Sequence, residues 1–131
     1  NINGVEYYND SKATTVNSVA KALESFSKPI NLIMGGRDKG LDFSELNDLI
    51  SKKVKNLILS GDAAEKIDSV IDFPSKHLTS NLKQAFEKAV ELSEDGDIVI
   101  LSPACTSFDE FRDYEERGRY FKSLVKKYRS I

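Results

Sequence analysis

Leu101-Ser102-Pro103-Ala104-Cys105-Thr106-Ser107-Phe108-Asp109-Glu110-Phe111-Arg112-Asp113-Tyr114-Glu115-Glu116-Arg117-Gly118-Arg119-Tyr120-Phe121 is the stretch from which the fold can be read. It follows an apolar run from Ile98 to Leu101 that has the length and β-branched content of a buried strand. The run stops at a small-residue segment, Ser102 to Ser107, and a long amphipathic pattern begins. Ser107 and Glu110 have the capping-box spacing, which predicts a helix starting beside Phe108. Phe108, Phe111, Tyr114, Gly118, Phe121, Val125 and Tyr128 then recur at three- and four-residue steps, one apolar stripe. Gly118 on that stripe costs about 1 kcal/mol against Ala in a helix interior, so it predicts close approach of the helix to a sheet. A helix beginning there would aim backbone N–H groups and short hydroxyls at one point, suited to a carboxylate or phosphate. The same spacing is equally that of a strand, a capped turn and a packing helix with no ligand.

Outward from this unit the chain alternates in the same way. Val5 to Asn9 reads as a short strand leading into Asn9-Asp10-Ser11-Lys12-Ala13-Thr14-Thr15. Val16, Val19, Ala20, Leu23 and Phe26 mark a helix face capped by Thr14 or Thr15. After Pro29, Ile30 to Met34 is an unbroken apolar strand, followed by the loop Gly35-Gly36-Arg37-Asp38-Lys39-Gly40. Asp42 and Glu45 form another capping pattern for a helix to about Ile50. Val54 to Leu59 is a strand, Ala63 to Val70 a helix, Lys76 to Leu78 a short strand, and Asn81 to Ser93 a helix. Gly96 ends that unit and Asp97 to Leu101 is the last strand. Strands alternating with helices imply an α/β fold, a mostly parallel sheet with helices on both faces. Ligands of such sheets gather outside the carboxyl ends of the strands. The loops 9–15, 35–40 and 102–107 all fall there, and they predict one composite site.

The totals restrict what that site can be. At 131 residues, 40% hydrophobic and 31% charged, the chain is one soluble globular domain spanning residues 1–131. A net charge of −2 argues against non-specific nucleic-acid binding. No apolar run reaches membrane-spanning length, and no signal peptide is visible. One cysteine and one histidine cannot make a Cys/His zinc site, and no metal site is assigned. The chain lacks an initiator Met, and its Asn3-Gly4 hairpin signal has only two residues before it. We therefore expect a domain taken from a longer polypeptide.

Several residues carry two readings. Gly35 to Gly40 is not a P-loop, which needs Gly-Lys-Ser/Thr after its second glycine, and it lacks the dinucleotide fingerprint. Lys39 is by default a solvated charge; functionally it is an ammonium for an anionic group. Asp10, Ser11 and Lys12 are ordinary turn residues, although Asp10 can accept from a ribose hydroxyl and Lys12 can meet phosphate or carboxylate. Cys105 reads as a small buried residue, since the lone His77 lies in another unit. Asp109, Glu110, Asp113, Glu115 and Glu116 alternate with Arg112, Arg117 and Arg119, the pattern of a solvated, salt-bridged face.

Three motifs in order carry a further signal: Asn9-Asp10-Ser11-Lys12-Ala13-Thr14, then Gly35-Gly36-x-Asp38-Lys39-Gly40, then Leu101-Ser102-Pro103-Ala104-Cys105-x-Ser107-x-Asp109-x-Phe111 with Glu116-Arg117-Gly118 and Phe121. Together they resemble the C-terminal domain of the Mur ligases, over nearly the whole chain. The absence of Asp-Asn-Pro-Arg points to the D-glutamate-adding branch. The resemblance implies a Rossmann-like domain of a three-domain bacterial cytoplasmic enzyme, whose N-terminal domain holds UDP and whose central domain carries the P-loop and magnesium ligands. It implies phosphorylation of the carboxylate of UDP-N-acetylmuramoyl-L-alanine by ATP, attack of D-glutamate on the acyl phosphate, and a role in peptidoglycan precursor synthesis. By motif position it implies Thr14, Lys39 and Ser107 as D-glutamate carboxylate binders, with the Phe108 backbone and the Tyr114 ring beside them. Asp10 and Lys12 are implied on the ATP side, and no catalytic residue falls in this fragment. ATP and Mg2+ would be held mainly by the central domain, so the 131 residues alone should be inactive. Arg37 stands where the family often has a smaller or acidic residue, and Thr15 where Asn is frequent. Two alternatives stay open: a folylpolyglutamate synthase-like ligase domain, and a non-catalytic α/β anion-binding module.

Overall fold

The computed structural model describes residues 2–37, 40, 42–107 and 110–129. The elements run β1 (Glu6–Asn9), α1 (Val16–Glu24), β2 (Ile30–Gly35), a 3-10 turn (Phe43–Leu46), α2 (Asn47–Lys53), β3 (Val54–Ser60), α3 (Ala64–Val70), β4 (Lys76–Leu78), α4 (Leu82–Leu92), β5 (Ile98–Leu101) and α5 (Tyr114–Arg129). All strand pairs are parallel, in the order β1-β5-β2-β3-β4. The α/β, Rossmann-like expectation holds, with every strand joined to the next through a helix.

The strand sequences explain the layering. β2 is buried at all six positions, because a parallel sheet is covered on both faces. Leu32 and Met34 point into one core with Val19 and Leu23 of α1, Ile50 of α2 and Ile67 of α3. Ile33 points into the other, with Phe86 of α4 and Phe121 of α5. Burying each of those two rings contributes about 2–3 kcal/mol. Thr15 caps α1 by accepting from the Ser18 N–H at 3.2 Å, deciding between the two threonines. Asn3 and Gly4 have φ of 53° and 79° between the bridged Ile2 and Val5, the tight turn their sequence predicts.

The long C-terminal helix begins at Tyr114, six residues later than Ser107 and Glu110 imply. Asp113 supplies the cap, its carboxylate accepting from the Glu116 N–H at 2.8 Å. Glu116 returns the contact to the Arg112 N–H at 2.9 Å. The Ser107 carbonyl closes only a single turn, accepting from the Phe111 N–H at 2.8 Å. Glu110 is drawn away to another helix, accepting at 3.3 Å from the Leu82 N–H at the start of α4. Phe111 and Tyr114 thus precede or open the helix, and Tyr114 is 45% exposed rather than part of a buried stripe. Among the described residues no helix is long and apolar enough to cross a membrane.

Candidate functional site

Adjacent parallel strands β1, β5 and β2 release their loops at one edge of the sheet, and hydrogen bonds join those loops. The Asp10 N–H donates to the Leu101 carbonyl at 2.8 Å, and the Ser102 hydroxyl donates to the Asp10 carboxylate at 3.0 Å. Ala104 N–H reaches the Ala13 carbonyl at 2.8 Å, and Gly35 N–H the Pro103 carbonyl at 3.0 Å. Arg37 and Thr106 exchange backbone bonds of 2.9 and 3.2 Å. The predicted convergence of the segments after β1, β2 and β5 is therefore present. Gly36 makes it sterically feasible: at φ 135°, a Cβ there would lie 2.2 Å from the Thr106 carbonyl oxygen. Ala104 sits in the left-handed region at φ 61° without being glycine, fixing the turn between Pro103 and Cys105.

These bonds also correct one expectation. The N–H groups of Ser102, Ala104 and Thr106 are taken up by neighbouring strands and loops, and α5 starts well beyond them. The 102–107 segment is therefore not the N-terminus of α5, and its Ser102, Ala104 and Thr106 donors are closed to a ligand. What it presents instead is hydroxyl chemistry. On the rim, Ser11, Thr15, Ser102 and Thr106 all have committed hydroxyls. Those of Thr14 and Ser107 take part in no hydrogen bond among the described residues, although Ser107 is buried and Thr14 half-buried. The Lys39 and Phe108 assignments lie outside the described residues.

Asp10 and Lys12 stand on the β1 side of the rim. Burial pushes the Asp10 carboxyl above its ordinary value, against the Ser102 hydrogen bond and the positive charge of Lys12. Lys12 is exposed and lies on the wall between two clefts. One, of about 350 Å³, also takes in Asn9, Tyr114, Gly118 and Arg119. The other, of about 380 Å³, contains Asp10 and Lys21. The cations around these openings suit polyphosphate, so the donor set fits a nucleotide. Magnesium finds no such set: no group of three His, Cys, Asp or Glu gathers among the described residues. Tyr114 shares a cleft with Lys12, adjoining the two halves that sequence reading treated separately.

Arg117 is the residue that sequence reading misplaced. Arg112 does form the solvated pair expected, 3.0 Å from Glu116. Arg117 instead is 4% exposed and reaches across the loops. Its Nε donates to the Ser11 hydroxyl at 2.9 Å, and its Nη2 to the carbonyls of Ser11 and Cys105 at 2.9 and 3.0 Å. The Ser11 hydroxyl donates onward to the Tyr114 carbonyl at 2.7 Å. Cys105 is fully buried, as its small side chain suggested.

Known proteins resemble this chain closely. The model of the family described as Mur ligase, glutamate ligase domain, matches residues 1–105. The UDP-N-acetylmuramoylalanine--D-glutamate ligase of Koribacter versatilis (strain Ellin345) is 48% identical over 126 residues, 96% of this chain. Those of Caldicellulosiruptor bescii and Bdellovibrio bacteriovorus are 46% and 44% identical over 127 and 128 residues. The chain spans 28% of the length of each of these relatives.

Proposed function

The chain belongs to the Mur ligase, glutamate ligase domain family, and from that premise we propose that it is the C-terminal domain of an ATP-dependent ligase. Its substrates on this reading are D-glutamate and UDP-N-acetylmuramoyl-L-alanine, and its setting is peptidoglycan precursor synthesis in the bacterial cytoplasm. Central and N-terminal domains of the same enzyme would carry the P-loop, the magnesium ligands and the UDP site. The observation that carries the reading is a pair of hydroxyls, Thr14 and Ser107, that take part in no hydrogen bond among the described residues, on loops otherwise bonded to one another.

A dicarboxylate needs donors fixed before it arrives, because ordering them on binding costs affinity. Thr14 and Ser107 would supply two such donors and Lys39 the charge, with the Phe108 backbone and the Tyr114 ring beside them. Asp10 would accept from the ribose, and Lys12 would meet the phosphates. Bound ATP supplies the activation of the acceptor carboxylate. This chain's contribution is to hold the amine in line and exclude water, catalysis by position rather than by a resident acid or base. Closing the domain onto its neighbour would complete the site.

The full-length protein, given UDP-N-acetylmuramoyl-L-alanine, ATP and D-glutamate, should release ADP and yield a product heavier by one glutamyl residue. Acceptance of L-glutamate on a folate acceptor instead would transfer the reading to a folylpolyglutamate synthase-like enzyme. No ADP release with any amino acid would favour an anion-binding module. Lys39→Ala should raise the KM for D-glutamate more than that for ATP, and unchanged D-glutamate kinetics would remove Lys39 from the site. The 131 residues alone should release no ADP.

A further inference from the structure

A buried guanidinium that donates to two separate loops fixes the distance between them. Ser11 lies between Asp10 and Lys12, the proposed nucleotide side, and Cys105 lies two residues before Ser107, on the proposed amino-acid side. One nitrogen, Arg117 Nη2, bonds the carbonyls of both, at 2.9 and 3.0 Å. Arg117 Nε adds the Ser11 hydroxyl at 2.9 Å, and that hydroxyl passes the contact to the Tyr114 carbonyl at 2.7 Å. The third loop abuts the same group, since a Cβ on Gly36 would stand 3.0 Å from Arg117 Nη1. The planar fork suits this work in a way an ammonium does not. The charge itself is placed where a solvated arginine would gain nothing, at 4% exposure.

We propose that Arg117 is a positioning residue that holds the nucleotide-side and amino-acid-side loops at one fixed separation, so that disturbing it weakens the use of both substrates together. The substrate part rests on the ligase reading above; the clamp itself does not. Two side chains test it. Ser11→Ala removes the hydroxyl relay and keeps both guanidinium–carbonyl bonds, so it is expected to fold. Arg117→Lys keeps the charge and loses the fork.

Both variants are made in the full-length protein and compared with wild type by hydrogen exchange and by steady-state kinetics. Exchange in residues 10–15 and 102–107 should rise in parallel, by about tenfold for Arg117→Lys and less for Ser11→Ala, with β2 and β3 unchanged. KM for ATP and KM for D-glutamate should both rise, by roughly fivefold or more for Arg117→Lys and by less, but in parallel, for Ser11→Ala, with kcat reduced less. A role in stability alone would lower the melting temperature and the active fraction while leaving both KM values where they were. Faster exchange in one loop only, or unchanged KM values in a variant that melts lower, overturns the proposal. If Arg117→Lys does not fold, Ser11→Ala decides by the same criteria. Should the wild type use another amino acid, the ligase reading is corrected, and the KM comparison is made with that amino acid. Should it use none, the exchange comparison still decides the clamp.

Discussion

Gly118→Ala pits two well-known effects against each other, and the structure decides the sign. Helix propensity alone favours Ala by about 1 kcal/mol in the interior of α5. The added methyl, however, would stand 2.8 Å from Asn9 Nδ2, 3.2 Å from Asn9 Oδ1 and 3.3 Å from Ser11 Cβ. The amide of Asn9 cannot simply swing away, because its Oδ1 accepts the Ser11 N–H at 3.1 Å. Forcing it aside loses that bond, worth about 1 kcal/mol, and overpacking a tight contact adds roughly 1–3 kcal/mol. The balance is a net loss of about 2 kcal/mol, which for a domain of this size lowers the melting temperature by about 7 °C. Thermal unfolding followed by circular dichroism measures it directly. Nucleotide affinity of the full-length protein should weaken as well, since Asn9 is contiguous with Asp10, Ser11 and Lys12. A melting temperature that rises would refute the close approach of α5 to the end of β1, because propensity would then be acting unopposed.

Gly36→Ala should be far more severe, a loss of about 4 kcal/mol or more, because a methyl at φ 135° meets the Thr106 carbonyl at 2.2 Å; a soluble variant with a native melt would contradict the loop packing. Ala104→Val should cost more than about 2 kcal/mol, since a β-branched side chain at φ 61° is strained and its site is fully buried, whereas Ala104→Gly should be close to neutral; equal melts for Val and Gly would refute this. At the opposite end of the sheet, burial pushes Asp97 up, but hydrogen bonds from Lys55, the Glu94 N–H and Asn31 outweigh it and hold its carboxyl below the ordinary value. A depressed carboxyl stabilises the fold above its unfolded value of about 3.9 and loses that contribution as pH falls through the folded value. Asp97→Asn should therefore cost about 2 kcal/mol at pH 7, with the difference from wild type closing below about pH 4; a constant difference across that range would argue against a charged Asp97.

The strands were legible because burial on both faces demands continuous apolar runs, and Ile30–Met34, Val54–Leu59 and Ile98–Leu101 supply them. Their order was not. Nothing local in Ile98–Leu101 says that it inserts between β1 and β2, since that choice is made by the register of whole strands. The start of α5 departs from its earlier capping signal for a related reason. Ser107/Glu110 and Asp113/Glu116 have the same spacing six residues apart, and the earlier pair loses because Glu110 answers the open Leu82 N–H of a helix distant in sequence. Spacing states that a cap is available; tertiary contacts choose which helix receives it.

Arg117 shows where a signal was present and overruled. Its charged neighbours Glu115, Glu116 and Arg119 suggested a wet surface, yet it stands four residues before buried Phe121 and directly before buried Gly118. Helical periodicity therefore places it at the end of the apolar stripe, where an isolated charge must find polar groups or unfold the helix. The groups within its reach are backbone carbonyls at the exits of parallel strands, where strand and loop change over and carbonyls lose their ladder partners. A positive side chain at that junction satisfies the carbonyls and ties the exits together in one act. The glycine beside it admits the approach, so Arg117-Gly118 is best read as one device, a fork and the clearance it needs.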